Sequence, residues 1–121
     1  MASSGAPRPG RPVRGSTSGR PLMAALDLLG RRWTLRLMWE LREGPVGPRA
    51  VLARCDGLSS SVLYRRIGEL DEAGLVERLP DGSYRLTDLG QELSEAISPL
   101  DRWSQRWARR QPTPGRTNPH S

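Results

Sequence analysis

Lysine and phenylalanine are absent from this chain of 121 residues, and cysteine and histidine occur once each. Cys55 alone cannot close an intrachain disulfide. The lone histidine, His120, lies in a Pro/Asn/Ser stretch, so no Cys/His cluster can hold a structural zinc. The same scarcity removes the usual pairing of a nucleophile with its base, and the carboxylates suggest no cleft, which speaks against an enzyme. No apolar run reaches the ~18 residues that a membrane span needs. Residues 1–20 have no apolar stretch of the secretory type, and their glycines and prolines spoil the amphipathic helix of a transit peptide. The expectation is a soluble cytoplasmic protein with no metal, no cofactor and no membrane partner.

What the chain has instead is arginine: 19 basic residues, all arginine, against 13 acids, for a net charge of +6. Residues 1–20 hold Arg8, Arg11, Arg14 and Arg20 without an acid, whereas residues 21–111 hold 14 arginines against 13 acids. Most of the excess therefore lies in the tails, and a nucleic-acid partner has to be argued from where charge sits and not from its sum. Residues 1–20 are too poor in large apolar side chains to offset ordering entropy and are expected to be a disordered tail, as are residues 111–121. Residues 21–110 are expected to form one small domain.

Between the tails, Leu22 to Leu29 predicts a short helix with Leu22, Leu26 and Leu29 on one face and Gly30 as its C-terminal cap. Arg31 to Arg42 predicts a second, with Trp33, Leu37 and Leu41 in one row. Pro48 suits the first turn of a third helix ending near Cys55. Ser59 is the expected N-cap of a fourth helix running to about Ala73, ended by Gly74. Leu75–Leu79 and Ser83–Thr87 read as strands joined through Pro80 and a two-residue Asp81-Gly82 turn. That turn sets Leu79 opposite Tyr84, Arg78 opposite Arg85 and Glu77 opposite Leu86. A last helix, capped by Thr87 and bent at Pro99, carries Leu89, Leu93, Ile97, Leu100, Trp103 and Trp107.

This order predicts an α+β, mostly helical fold: a winged helix-turn-helix with a short two-stranded wing. On the fourth helix, Leu63, Ile67 and Leu70 share an arc that must face the core, which turns Ser61, Arg65 and Gly68 outward beside Tyr64. Ser60 and Ser61 lie in the first turn, where unpaired amides favour a phosphate. Arg65 can reach a guanine edge or a backbone oxygen, and Tyr64 a phosphate or a thymine methyl. Ser59, Arg66 and, on the third helix, Arg49 complete the candidate contacts there. Glu69, Asp71, Glu72 and Glu77 would repel a duplex, so only the N-terminal half of the helix is expected to enter the groove. On the wing, Arg78 and Arg85 are expected side by side, a like-charge pairing most easily explained by a phosphate or minor groove across them.

The runs ALDLLGRRWTLRLMWEL, DGLSSSVLYRRIGELDEAGLVERL and YRLTDLGQELSEAISPLDRW, together spanning about residues 21–107, resemble the HxlR-type winged-helix transcriptional regulators of bacteria. The resemblance implies a double-stranded DNA partner read by Ser59 to Arg66. It also implies a homodimer paired through the helix from Leu22 and the helix ending near Trp107. Three features depart from the family pattern. Arg20 stands where some members carry a redox cysteine before the first proline, the wing loop is short, and Pro48 replaces an aromatic.

The last helix supports the dimer on physical grounds as well. The row from Leu93 and Ile97 through Leu100, Trp103 and Trp107 is more apolar surface than a small domain covers alone, and Leu22 and Leu26 join that interface by the resemblance. The function expected is a sequence-specific DNA-binding regulator, a repressor acting as a homodimer on an inverted repeat. The alternative is a winged-helix module that binds protein and not DNA. Two further readings are open: an unidentified small-molecule effector in a pocket between the terminal and fourth helices around Trp103, and Cys55 as either a buried apolar group or a sensing thiol.

Overall fold

The computed structural model describes residues 20–112, so all but the innermost residues of the two expected tails lie outside the described residues. The elements run α1 (Pro21–Leu29), α2 (Thr34–Glu40), α3 (Pro48–Arg54), α4 (Ser60–Glu72), β1 (Val76–Arg78), β2 (Tyr84–Leu86), α5 (Asp88–Ile97) and α6 (Pro99–Arg109). The mostly helical winged helix-turn-helix expected from the sequence is the architecture observed. Leu37, Leu41, Val51, Cys55, Leu63 and Leu70 meet at its centre, closed below by Val76, Tyr84 and Leu86. Burying each such aliphatic side chain stabilises the fold by roughly 1.5–3 kcal/mol, so this cluster sets where α4 lies.

Two local expectations fail, for identifiable reasons. The second helix does not begin at Arg31, because the chain turns after α1 and Trp33 adopts a left-handed conformation with φ of 78°. A bulky residue there costs about 1–3 kcal/mol. The cost is offset by the hydrogen bond from Leu37 N–H to the Trp33 carbonyl (2.8 Å) and by packing of the indole against the core and beside Gly57. Gly30, by contrast, is right-handed (φ −78°) and closes α1 through its N–H to Leu26.

The hairpin register also differs by one residue. Val76 pairs with Leu86, Glu77 with Arg85 and Arg78 with Tyr84. Leu79 N–H donates to Ser83 (2.8 Å) and Gly82 N–H to Leu79 (2.9 Å), so the loop is three residues, Pro80-Asp81-Gly82, with Gly82 at φ of 89°. A type I turn followed by a left-handed glycine is the common three-residue solution, and Asp81 tightens it by accepting from the N–H and hydroxyl of Ser83. Arg78 and Arg85 are therefore not opposite each other, and Val76 is buried on the inner face. Val46 adds a one-residue bridge on the far side of Tyr84.

Thr87 joins wing to α5. Its hydroxyl donates to the Gly74 carbonyl (2.6 Å) and accepts from Gly90 N–H (3.1 Å). Gly90 lies directly on the Leu75 carbonyl, where a Cβ has no room. The terminal helix bends at Ser98–Pro99 as expected, dividing into α5 and α6, and α6 buries none of its residues.

Helix propensity alone would make Gly90→Ala stabilising by about 1 kcal/mol. The contact with Leu75 reverses that sign, and urea unfolding should show a loss of stability; a gain would refute the packing. Leu63→Ala, at the fully buried centre, should cost about 2–5 kcal/mol in the same measurement.

Candidate nucleic-acid interface

The N-terminal half of α4 is built to be presented. Ser59 caps the helix, its hydroxyl accepting from Val62 N–H at 3.2 Å with Ser61 Oγ 3.3 Å away, and Leu63, Ile67 and Leu70 anchor the opposite face. Ser59, Ser60, Ser61, Arg65 and Gly68 are exposed, and Tyr64 is 53% exposed. Arg49, on α3, is exposed as well. Burial pushes the Tyr84 phenol above its ordinary range, Tyr64 adds to the rise and Arg78 opposes it. Tyr64 of the helix and Arg78 of the wing both act electrostatically on this buried phenol, and both are themselves exposed.

Other candidates are committed elsewhere. Arg66 turns back along the helix: its Nε donates to the Arg32 carbonyl (2.8 Å) and its Nη1 lies 3.2 Å from Glu69 Oε2. The spacing held this signal, since a helical wheel puts Arg66 roughly 40° from Leu70 and on the core side. Arg85 forms a 2.6 Å ion pair with Glu77 across the strands, whereas Arg78 has no ion pair among the described residues. The acids read as repelling a duplex are accordingly divided. Glu69 is 8% exposed and held by Arg31 (2.9 Å) and Arg66, Glu77 is neutralised by Arg85, and Asp71 is exposed.

The residues expected to pair two protomers fall into two groups. Leu22, Leu26, Leu100, Trp103 and Trp107 are about half exposed or more, with the two indoles stacked at 5.6 Å. Leu93 packs against its own core, and Ile97 is half-buried. Two apolar grooves flank α5. One, of about 340 Å³, lies between α2 and the α5–α6 bend and is lined by Leu35, Trp39, Ile97 and Leu100, with the Arg42 guanidinium 3.6 Å over the Trp39 ring. The other, of about 370 Å³, lies between α1 and α5. The first groove borders the terminal helix, where a pocket is expected, but neither α4 nor Trp103 lines it. Cys55 is wholly buried at the end of α3, and burial pushes its thiol up. Among the described residues no His/Cys/Asp/Glu group could hold a metal.

Comparison with known proteins gives a consistent result. The HxlR-like helix-turn-helix family matches residues 28–112. An HTH-type transcriptional regulator of Mycobacterium tuberculosis is 40% identical over 93 residues, 70% of this chain and 57% of the relative. The chain thus spans little more than half the length of that relative. The HTH-type regulator YvaP of Bacillus subtilis is 30% identical over 69% of this chain and 82% of its own length. Among solved structures, the quinone-bound YodB of B. subtilis superposes with a TM-score of 0.66 at 27% identity, covering 70% of this chain and 96% of that one. A possible HxlR family transcriptional factor of Thermoplasma volcanium gives 0.63 at 30% identity, covering 70% and 82%.

The environment of Cys55 predicts that it is inert. Iodoacetamide should label the native protein far more slowly than the protein in denaturant, across neutral pH. Because the folded thiol titrates above its unfolded value, its contribution to stability is complete below that value and is lost as pH rises through the folded one. Rapid native labelling would show the α3 end to be open.

Proposed function

The chain belongs to the HxlR-like helix-turn-helix family, and from that premise we propose that it is a DNA-binding repressor that works as a homodimer on an inverted repeat. The observation that carries this reading is the exposure of Ser59, Ser60, Ser61, Tyr64 and Arg65 on the N-terminal half of α4, with Arg78 exposed on the wing. In a major groove, Arg65 addresses guanine O6 and N7 or a phosphate, and Tyr64 a phosphate or thymine methyl. The first-turn amides at Ser60 and Ser61 receive a phosphate, Arg49 adds a second backbone contact and Arg78 a third from the wing. Arg66 and Arg85 act from behind, holding helix and strand in shape.

Dimerisation through α1 and α6 accounts for the exposure of Leu22, Leu26, Leu100, Trp103 and Trp107, an apolar surface that a monomer would leave in water. Two α4 helices about one helical turn apart, roughly 34–36 Å, then read the two halves of a palindrome. With no effector domain in the described residues, repression follows from covering a promoter. A cytoplasmic site of action accords with the lack of any described helix long and apolar enough to cross a membrane. A small-molecule effector of this protein would use the groove beside Trp39. The protein-binding alternative is disfavoured by Arg49, Arg65 and Arg78, three exposed arginines without ion pairs among the described residues.

Selection of bound fragments from genomic DNA with the purified protein tests the reading directly. Arg65→Ala should lose about 1–3 kcal/mol of affinity for the preferred fragment and relax its selectivity. Arg78→Ala should lower the salt slope of binding by about 1 while Arg85→Ala leaves it nearly unchanged. Undiminished binding by Arg65→Ala would overturn the proposed orientation. In sedimentation, Trp103→Ala combined with Trp107→Ala should shift the dimer toward monomer.

A further inference from the structure

Four charged side chains meet on the core side of α4, away from the surface proposed to touch DNA. The Arg31 guanidinium, in the link between α1 and α2, uses separate nitrogens for separate partners: Nη2 lies 3.3 Å from Asp27 Oδ2 on α1, and Nη1 2.9 Å from Glu69 Oε2 on α4. Arg66 Nη1 approaches both Glu69 oxygens, at 3.3 and 3.2 Å, and its Nε ties back to the Arg32 carbonyl. None of these side chains is more than 18% exposed. At that burial, charge-assisted bonds are stronger and more directional than at the surface.

The leucines beneath α4 act differently. Apolar packing has no directional bonds, so Leu63, Ile67 and Leu70 choose which face of α4 meets the core and leave the finer setting of its rotation to polar contacts at the edge of that face. The ion pair from Arg31 to Glu69 and the hydrogen bond from Arg66 to the Arg32 carbonyl, both reaching α4 from the α1–α2 link, do restrict that rotation. Arg65 and Tyr64 stand within about a turn and a half of Glu69, so a rotation there re-aims them directly.

We propose that the chain of contacts Asp27–Arg31–Glu69–Arg66 couples α1 to base recognition: Arg31 and Glu69 are positioning residues that set the rotation of α4, and whatever packs on α1 is felt at the DNA through them. The proposal rests on the DNA reading above. It assigns a task to Glu69, which charge alone marks as unfavourable near a duplex. It also explains the use of an arginine at position 31, because a lysine ammonium cannot bridge two carboxylates with the fixed fork of a guanidinium.

The experiment is a double-mutant cycle on full-length protein, read as affinity for the fragment that the parent selects and for an unrelated duplex. Circular dichroism and urea unfolding confirm that each variant is folded at the assay temperature. Asp27→Asn and Glu69→Gln should each weaken the selected complex about tenfold, and the double variant should be no weaker than Glu69→Gln alone. Affinity for the unrelated duplex and the salt slope should stay at parental values, because no phosphate contact is removed; a general loss of structure would lower both. Arg31→Lys keeps the charge and should behave like Asp27→Asn, and it replaces Glu69→Gln in the cycle should that variant not fold. Single variants within about twofold of the parent on the selected fragment, or effects that multiply in the double variant, would overturn the coupling. A parent with no preferred fragment overturns the DNA reading and this proposal together, and is recognised before any variant is measured.

Discussion

The turn between α1 and α2, made by Trp33 in the left-handed region, is the constraint on which the arrangement of charge depends. A helix running straight on from Arg31 would carry Arg31 and Arg32 around its own surface. The turn instead holds both in the link, where the Arg31 side chain reaches Glu69 and the Arg32 carbonyl receives Arg66. The same indole rests beside Gly57 in the turn leading into α4, so one strained residue touches both approaches to that helix. Strain of this kind persists only where the surroundings over-determine it, and here the core, the Leu37 hydrogen bond and the stacked Arg32 guanidinium, 5.8 Å from the ring, all contribute.

Most of the architecture was legible because its signals are local. The Ser59 cap, the Leu63/Ile67/Leu70 arc, Pro48 opening α3 and the bend at Pro99 each act within one turn of chain. What escaped depends on contacts between elements. Periodicity carries no information about a left-handed tryptophan, and Asp-Gly satisfies a two-residue and a three-residue turn alike until the partner strand fixes the register. Glu69 read as a liability because its partners come from a link 38 residues earlier and from Arg66; the i, i+3 spacing of the latter was visible, whereas Arg31 was not. Gly90 has a similar explanation, since the crowding that requires it comes from Leu75.

Arginine is used throughout in two distinct ways. Arg31, Arg66 and Arg85 pair with acids and shape the structure, and Arg36 and Arg54 share Glu40 at the end of α3. Arg49, Arg65 and Arg78 are exposed without acidic partners among the described residues. A nearly neutral domain can therefore expose unpaired arginines without a large net charge, because acids such as Glu40, Glu69 and Glu77 are paired with other arginines.

The sheet is small in a way that bears on how copies of this protein can meet. β2 is covered on one side by β1 and on the other by the single residue Val46, and the open side of β1 is three residues long, carries Glu77 and Arg78, and runs toward Pro80, which has no N–H to offer. Edges this short and charged give an incoming strand nothing to extend. Among the described residues, this sheet therefore offers little to strand addition, the route by which many crowded proteins become insoluble.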